Sequence, residues 1–74
     1  MSEKELNLVR NEIKAYIAQS GWTLTAIVHE LNTRHIEQTT TQNISNKLSR
    51  GTIKYSEVLE IADIVGFKIE WIPK

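Results

Sequence analysis

The run Thr41-Gln42-Asn43-Ile44-Ser45-Asn46-Lys47-Leu48-Ser49-Arg50-Gly51 concentrates the chemistry of this chain. Ile44 and Leu48 stand four positions apart, which places both on one face of a helix. Around them the surface is amide, hydroxyl and cationic. Asn and Gln amides bond bidentately to adenine, while Arg and Lys bond to guanine or to phosphate. A helix anchored by two apolar side chains and otherwise covered in donors and acceptors suits a major groove. The competing reading is a plain solvated surface helix. On the first reading Gln42, Asn43, Asn46 and Lys47 reach base edges from a helix whose N-terminal turn leads into the groove. Ser45 faces inward or sideways. Arg50, beside Gly51, either contacts phosphate or steadies the helix C-terminus through its dipole.

Further phosphate contacts are expected from Thr23 and Thr25, at the start of an earlier helix where backbone amides commonly meet phosphate. Thr23 also serves as a plain N-cap, and the two roles are compatible. Arg34, with His35 beside it, and Lys54 either grip phosphate or remain solvated charges. His29-Glu30-Leu31-Asn32-Thr33 begins like a zinc-protease motif, but Thr33 stands where the second histidine is required. No metal site is therefore expected from His29 and His35, and no cofactor. No acidic pair, thiol nucleophile or glycine-rich phosphate loop supports catalysis, so an enzyme is not expected. Asn43-Ile44-Ser45 matches a glycosylation sequon, which is irrelevant on a cytosolic helix. Trp22, Phe67 and Trp71 are dispersed among apolar residues and read as core or dimer interface rather than base-stacking platforms.

Helical spacing carries these groups. Ser2 and Glu5 have capping-box spacing, and Leu6, Val9, Ile13, Tyr16 and Ile17 recur as the stripe of a first helix that ends at Ser20-Gly21. Thr23 caps a second helix with Leu24, Ile27, Val28 and Leu31 buried; it stops at Asn32 or runs on to about His35. Ile36 to Thr40 reads as a turn. Thr40 or Thr41 caps the third helix, which Gly51 breaks. Ser56 is expected to cap a fourth, with Val58, Leu59, Ile61, Ala62, Ile64 and Val65 apolar and Gly66 closing it. After Gly66 the period changes. Phe67, Ile69 and Trp71 alternate with Lys68, Glu70 and Ile72 before Pro73, which is a strand signal. A lone strand must find a partner for its backbone groups. The alternatives are pairing with a second copy, with Phe67, Ile69 and Trp71 as the dimer interface, or a tail laid across the helices by Phe67 and Trp71.

The chain has 74 residues, no cysteine and a formal net charge of zero. One small domain of this size buries only about 60% of its unfolded surface, so packed helices or a second copy must supply stability. Lack of cysteine suits a reducing cytosol. No apolar run nears the ~20 residues that span a bilayer, and the charged N-terminus is unlike a signal peptide. Zero net charge counts against nucleic-acid binding. Its distribution softens the objection: residues 32–55 hold Arg34, Lys47, Arg50 and Lys54 against Glu37, while the acidic surplus lies later in the chain. The field is expected to be positive around the third helix.

Gly21-Trp22-Thr23 followed by Ile27, Val28 and Leu31, and Leu59-Glu60-Ile61-Ala62-Asp63-Ile64-Val65-Gly66, together resemble the Xre (phage-repressor-like) helix-turn-helix family. Ile44-Ser45 and Arg50-Gly51 resemble the ends of its recognition helix. The likeness runs from Val9 to Gly66. Leu31 and Ile44 are about six residues further apart than the family pattern has them, and residues 43–51 run one residue long. The pattern from Gln42 to Thr52 is similar to an uncharacterised family of short bacterial and phage proteins with such a lengthened turn. The resemblance implies a mainly α, four-helix domain over residues 1–66 with a C-terminal β-strand and dimerisation tail over 67–74. It implies a DNA-binding transcription regulator or repressor, bacterial or phage, cytoplasmic, acting as a homodimer on double-stranded DNA. The alternative is a protein-interaction module, antitoxin-like or adaptor, that keeps the fold and binds a protein partner.

Overall fold

A computed structural model describes residues 3–74, in the order α1 (Glu3–Ser20), α2 (Leu24–Arg34), α3 (Thr41–Arg50) and α4 (Tyr55–Val65). α1 and α2 each pack against both α3 and α4. The core among the described residues is Ile17, Ile27, Val28, Leu31, Ile44, Leu48, Ile61, Ile64 and Val65, with Ile13, Leu24, Ile53 and Phe67 packed at its margin. It is wholly apolar: no polar or charged side chain is buried there.

The ends of the helices follow their residues. Thr23 and Thr40 are extended and accept the N–H of Ala26 (3.1 Å) and Asn43 (3.0 Å), which satisfies one orphan donor at each start. Gly51 takes φ 68°, and the N–H of Thr52 then reaches back to the Lys47 carbonyl at 2.9 Å. This is the left-handed helix end that glycine permits without a Cβ penalty. Gly66, at φ 89°, closes α4 in the same way, and the N–H of Phe67 donates to Ala62 at 2.8 Å.

Three expectations need correction. The first is the C-terminal β-strand: among the described residues there is no strand, and the protein is an all-α four-helix domain. Residues 67–74 alternate in sequence, yet no neighbouring segment offers a ladder of backbone groups. Side chains fix the tail instead. The Phe67 ring meets Tyr16 edge-on with centroids 5.0 Å apart, and Trp71 donates its indole N–H to the Tyr55 hydroxyl at 3.1 Å. The tail thus lies across α1 and α4, the other arrangement its aromatics allowed. Phe67 is spent on this packing, while Ile69 and Trp71 remain exposed, so the three do not form one strand face.

The second is the start of α4. Lys54, not Ser56, is the N-cap residue, and Ser56 lies inside the first turn. The Glu57 carboxylate reaches back to the N–H of Lys54 at 3.0 Å, the N3-to-N-cap half of a capping box. The third is α1. Ile17 is buried and Ile13 half-buried, but Val9 and Tyr16 are exposed. The expected Ser2 cap lies outside the described residues, as does the Leu6 side chain.

The connection from α2 to α3 is ordered by one side chain. Asn32 donates to the Thr39 carbonyl at 3.0 Å and accepts the Thr39 N–H at 2.8 Å, closing the loop like one rung of a ladder. Gln38 adds bonds to the carbonyls of Asn32 and His35. Ile36 sits at the tip, fully exposed.

Candidate nucleic-acid interface

α3 is held by little. Ile44 and Leu48, 1% and 3% exposed, face the core between α1 and α2. At 100° per residue, the direction opposite them is occupied by Gln42, Asn46, Ser49 and Arg50, with Asn43 on the flank. Gln42, Asn43, Ser49 and Arg50 are exposed; Asn46 is half-buried because Gln42 leans over it, donating its amide N–H to the Asn46 carbonyl oxygen at 3.0 Å. That bond leaves the Asn46 NH2 group as donor and the Gln42 side-chain oxygen as acceptor. Ser49 belongs to this outward face and was missed by the base-contact set; projecting the sequence on a helical wheel about Ile44 and Leu48 would have found it.

Lys47 behaves differently. Its ammonium sits 2.8 Å from Glu57 Oε2, with the two side chains 39% and 24% exposed. Glu57 therefore binds α3 through one oxygen and caps α4 through the other. Partial burial works to raise its pKa. The hydrogen bonds from Lys47 and the Lys54 N–H, and the charges of both lysines, outweigh burial and hold the carboxyl below its ordinary value.

The same pairing recurs along this side. Arg34 contacts Asp63 at 3.1 Å and Glu30 at 3.6 Å. His35 Nε2 lies 2.7 and 2.8 Å from the two oxygens of Glu60. The acidic residues of α4 thus fold back onto the basic residues of 32–55, and the expected positive end is largely neutralised. Arg50 and Lys54 form no ion pair among the described residues. A shallow cleft separates the α2–α3 connection from the start of α4, and Asn43, Lys47 and Lys54 line it beside His35, Glu57 and Glu60. The structure therefore brings Asn43, Lys47 and Lys54 together, and puts Gln42, Asn46 and Arg50 on the adjoining outer face.

Thr23 is committed to capping α2, and Thr25 is exposed two residues on, in the first turn. Neither is joined to α3 by a hydrogen bond. His29 is exposed, Thr33 bonds back to the Glu30 carbonyl at 2.7 Å, and no cluster that could hold a metal ion occurs among the described residues. No described helix is long and apolar enough to cross a membrane.

The chain belongs to the family described as Domain of unknown function (DUF6471), which matches residues 7–69. The match spans most of α1, the other three helices and the first residues of the tail. No curated protein and no solved structure matches the chain.

Proposed function

We propose that this protein is a sequence-specific DNA-binding transcription regulator, cytoplasmic and of bacterial or phage type, that reads the major groove with α3. The observation that carries this reading is the composition of α3 on its exposed side. Alone among the four helices it has no carboxylate, and it offers Gln42, Asn43, Asn46, Ser49 and Arg50 to solvent or at its flank. The joined amides of Gln42 and Asn46 present one donor and one acceptor side by side, the complement of adenine N7 and N6. Arg50 and Lys54 supply phosphate contact, and the Thr25 end of α2 a further one. The resemblance to the Xre helix-turn-helix pattern supports the same assignment. The mechanism is occlusion or recruitment at the bound site.

The test is selection of bound sequences from a random duplex pool at low salt, followed by affinity measurement of Asn46→Ala on the selected site. Expected is a defined consensus and a loss of about 1–3 kcal/mol on that site with unchanged melting temperature. The pairing of Arg34 and Lys47 with carboxylates favours a second reading, a protein-interaction module. Failure to retain any duplex at low salt decides for it.

A further inference from the structure

We propose that Ile36, at the tip of the α2–α3 connection, packs against the 5-methyl group of a thymine in the major groove that α3 reads. This rests on the DNA-reading proposal and adds to it a specificity residue outside the helix. Folding buries none of the Ile36 side chain. A loose loop is not the reason. Asn32 clasps Thr39 through two bonds, at 3.0 and 2.8 Å, and Gln38 ties down the carbonyls of Asn32 and His35 at 3.1 and 3.2 Å. His35, the residue before Ile36, is fixed to Glu60 of α4 at 2.7 Å, and Arg34 before it holds Asp63 at 3.1 Å. Ile36 and Glu37 thus stand between anchored neighbours. The connection presents one aliphatic side chain in a set position, and little further order is lost when it docks.

Place and chemistry select the occupant. Thr40 caps α3 four residues after Ile36, and Ile36 lines the same cleft as Asn43 and Lys47. It stands on the Asn43 side of α3, beside the N-terminal turn that leads a reading helix into its groove. Base edges in the major groove carry donors, acceptors and one apolar group, the thymine methyl. Isoleucine offers no donor or acceptor, so the methyl is the group it complements. Glu37 beside it is repelled by phosphate and suits the base edges, where a carboxylate accepts from cytosine N4. A protein pocket is a poorer match. The residues around the tip, Arg34, His35, Glu37, Gln38 and Thr39, are polar, so no apolar patch continues from Ile36. One aliphatic side chain is a small part of the about 800 Å² that each partner gives to a standard protein interface.

The experiment uses the whole chain and the duplex site selected from a random pool. A series of the same duplex has each thymine in turn replaced by uracil, which differs only in lacking the methyl, and fluorescence anisotropy gives each dissociation constant. Expected is one thymine per bound chain, bordering the base pair at which Asn43→Ala relaxes preference, whose replacement weakens the wild type about fourfold, the effect of one buried methyl group. Ile36→Ala should bind the thymine duplex about fourfold or more weakly and no longer respond to uracil there, whereas Ile36→Val should keep the response. The melting temperature of both variants should match the wild type, because nothing covers this side chain in the free protein. If the wild type binds the selected site but no uracil weakens it, the methyl contact is wrong and the DNA reading stands. The same holds if Ile36→Ala keeps the full response to uracil. If no duplex is retained at low salt, both proposals fail together.

Discussion

Replacing Glu57 by Gln tests how α3 is held. Glu57 accepts from the Lys47 ammonium at 2.8 Å and from the Lys54 N–H at 3.0 Å. Glutamine keeps one acceptor oxygen for the backbone N–H but turns the other position into an NH2 group facing an ammonium. The lost ion pair is partly exposed, so about 0.5–1 kcal/mol is the appropriate scale. The lost negative charge in the first turn of α4 removes about another 0.3–0.5 kcal/mol of dipole interaction. Together this is about 1 kcal/mol, a sizeable part of the roughly 4–11 kcal/mol expected for a domain of this length. The melting temperature at neutral pH should fall by about 4–8 °C. The pH dependence follows from the depressed carboxyl. A carboxyl lowered on folding contributes stability that is present above its unfolded value, near 4.3, and is lost as pH falls through the folded value. The difference between wild type and Glu57→Gln should therefore be constant from pH 7 to about 5 and shrink towards zero below about 4. Thermal melts by circular dichroism across that range measure it. Equal melting temperatures at pH 7, or a difference that persists undiminished at pH 3, would refute the assignment of Glu57 as the tie between α3 and α4. The same variant frees Lys47. If Lys47 then reaches phosphate, the salt slope of DNA binding steepens by about 0.9.

Other substitutions probe the remaining contacts. Arg50→Ala and Lys54→Ala should each weaken all duplexes alike and reduce the salt slope by about 0.9 per lost phosphate contact, measured by fluorescence anisotropy in a salt series. Asn32→Ala removes both bonds to Thr39 and should cost about 1–2 kcal/mol in urea unfolding, with faster hydrogen exchange confined to the α2–α3 connection. Gly66→Ala has open space for its Cβ, yet φ 89° is strained for alanine, so a loss of about 1 kcal/mol should come from backbone alone; an unchanged urea midpoint would contradict the left-handed closure of α4.

The four helices were legible because their signals are local. Thr23, Thr40, Gly51 and Gly66 each act within a turn of their own position, and the periodic apolar residues of α2 and α3 point where the core lies. The tail was misread because alternation is only a tendency. A strand exists when another backbone lies beside it, and composition within residues 67–74 carries no information about that neighbour. The start of α4 was misplaced because the N-cap position falls on Lys54, which has no capping oxygen, and the bond that marks it comes from Glu57 three residues on. Charge was misjudged for a related reason. Counting Arg34, Lys47, Arg50 and Lys54 along the chain gives a positive segment, but packing brings Glu57 and Asp63 against two of the four. Long-range pairing of this kind is invisible to a windowed count.

That pairing constrains how α3 can recognise DNA, if it does so as proposed. Proteins that neutralise six to ten phosphates lose roughly 10³–10⁵ in affinity between 50 and 200 mM salt. Here Arg50 and Lys54 are cations near α3 that form no ion pair among the described residues, although Lys54 lies close enough to help hold Glu57 ionised. Two phosphate contacts give a slope near 1.8, so the same fourfold rise in salt costs only about tenfold. Counterion release then contributes little to the total, and affinity must come from hydrogen bonds to base edges and from docking area. Those bonds are the part of the interaction that distinguishes one sequence from another. A neutral protein of this kind therefore binds non-specific DNA weakly, and its preference for a cognate site survives at salt concentrations that strip more basic readers from theirs. On this proposal the amides of Gln42, Asn43 and Asn46 carry that preference. Replacing any of them with lysine should raise affinity for every duplex while narrowing the ratio between cognate and random sequence.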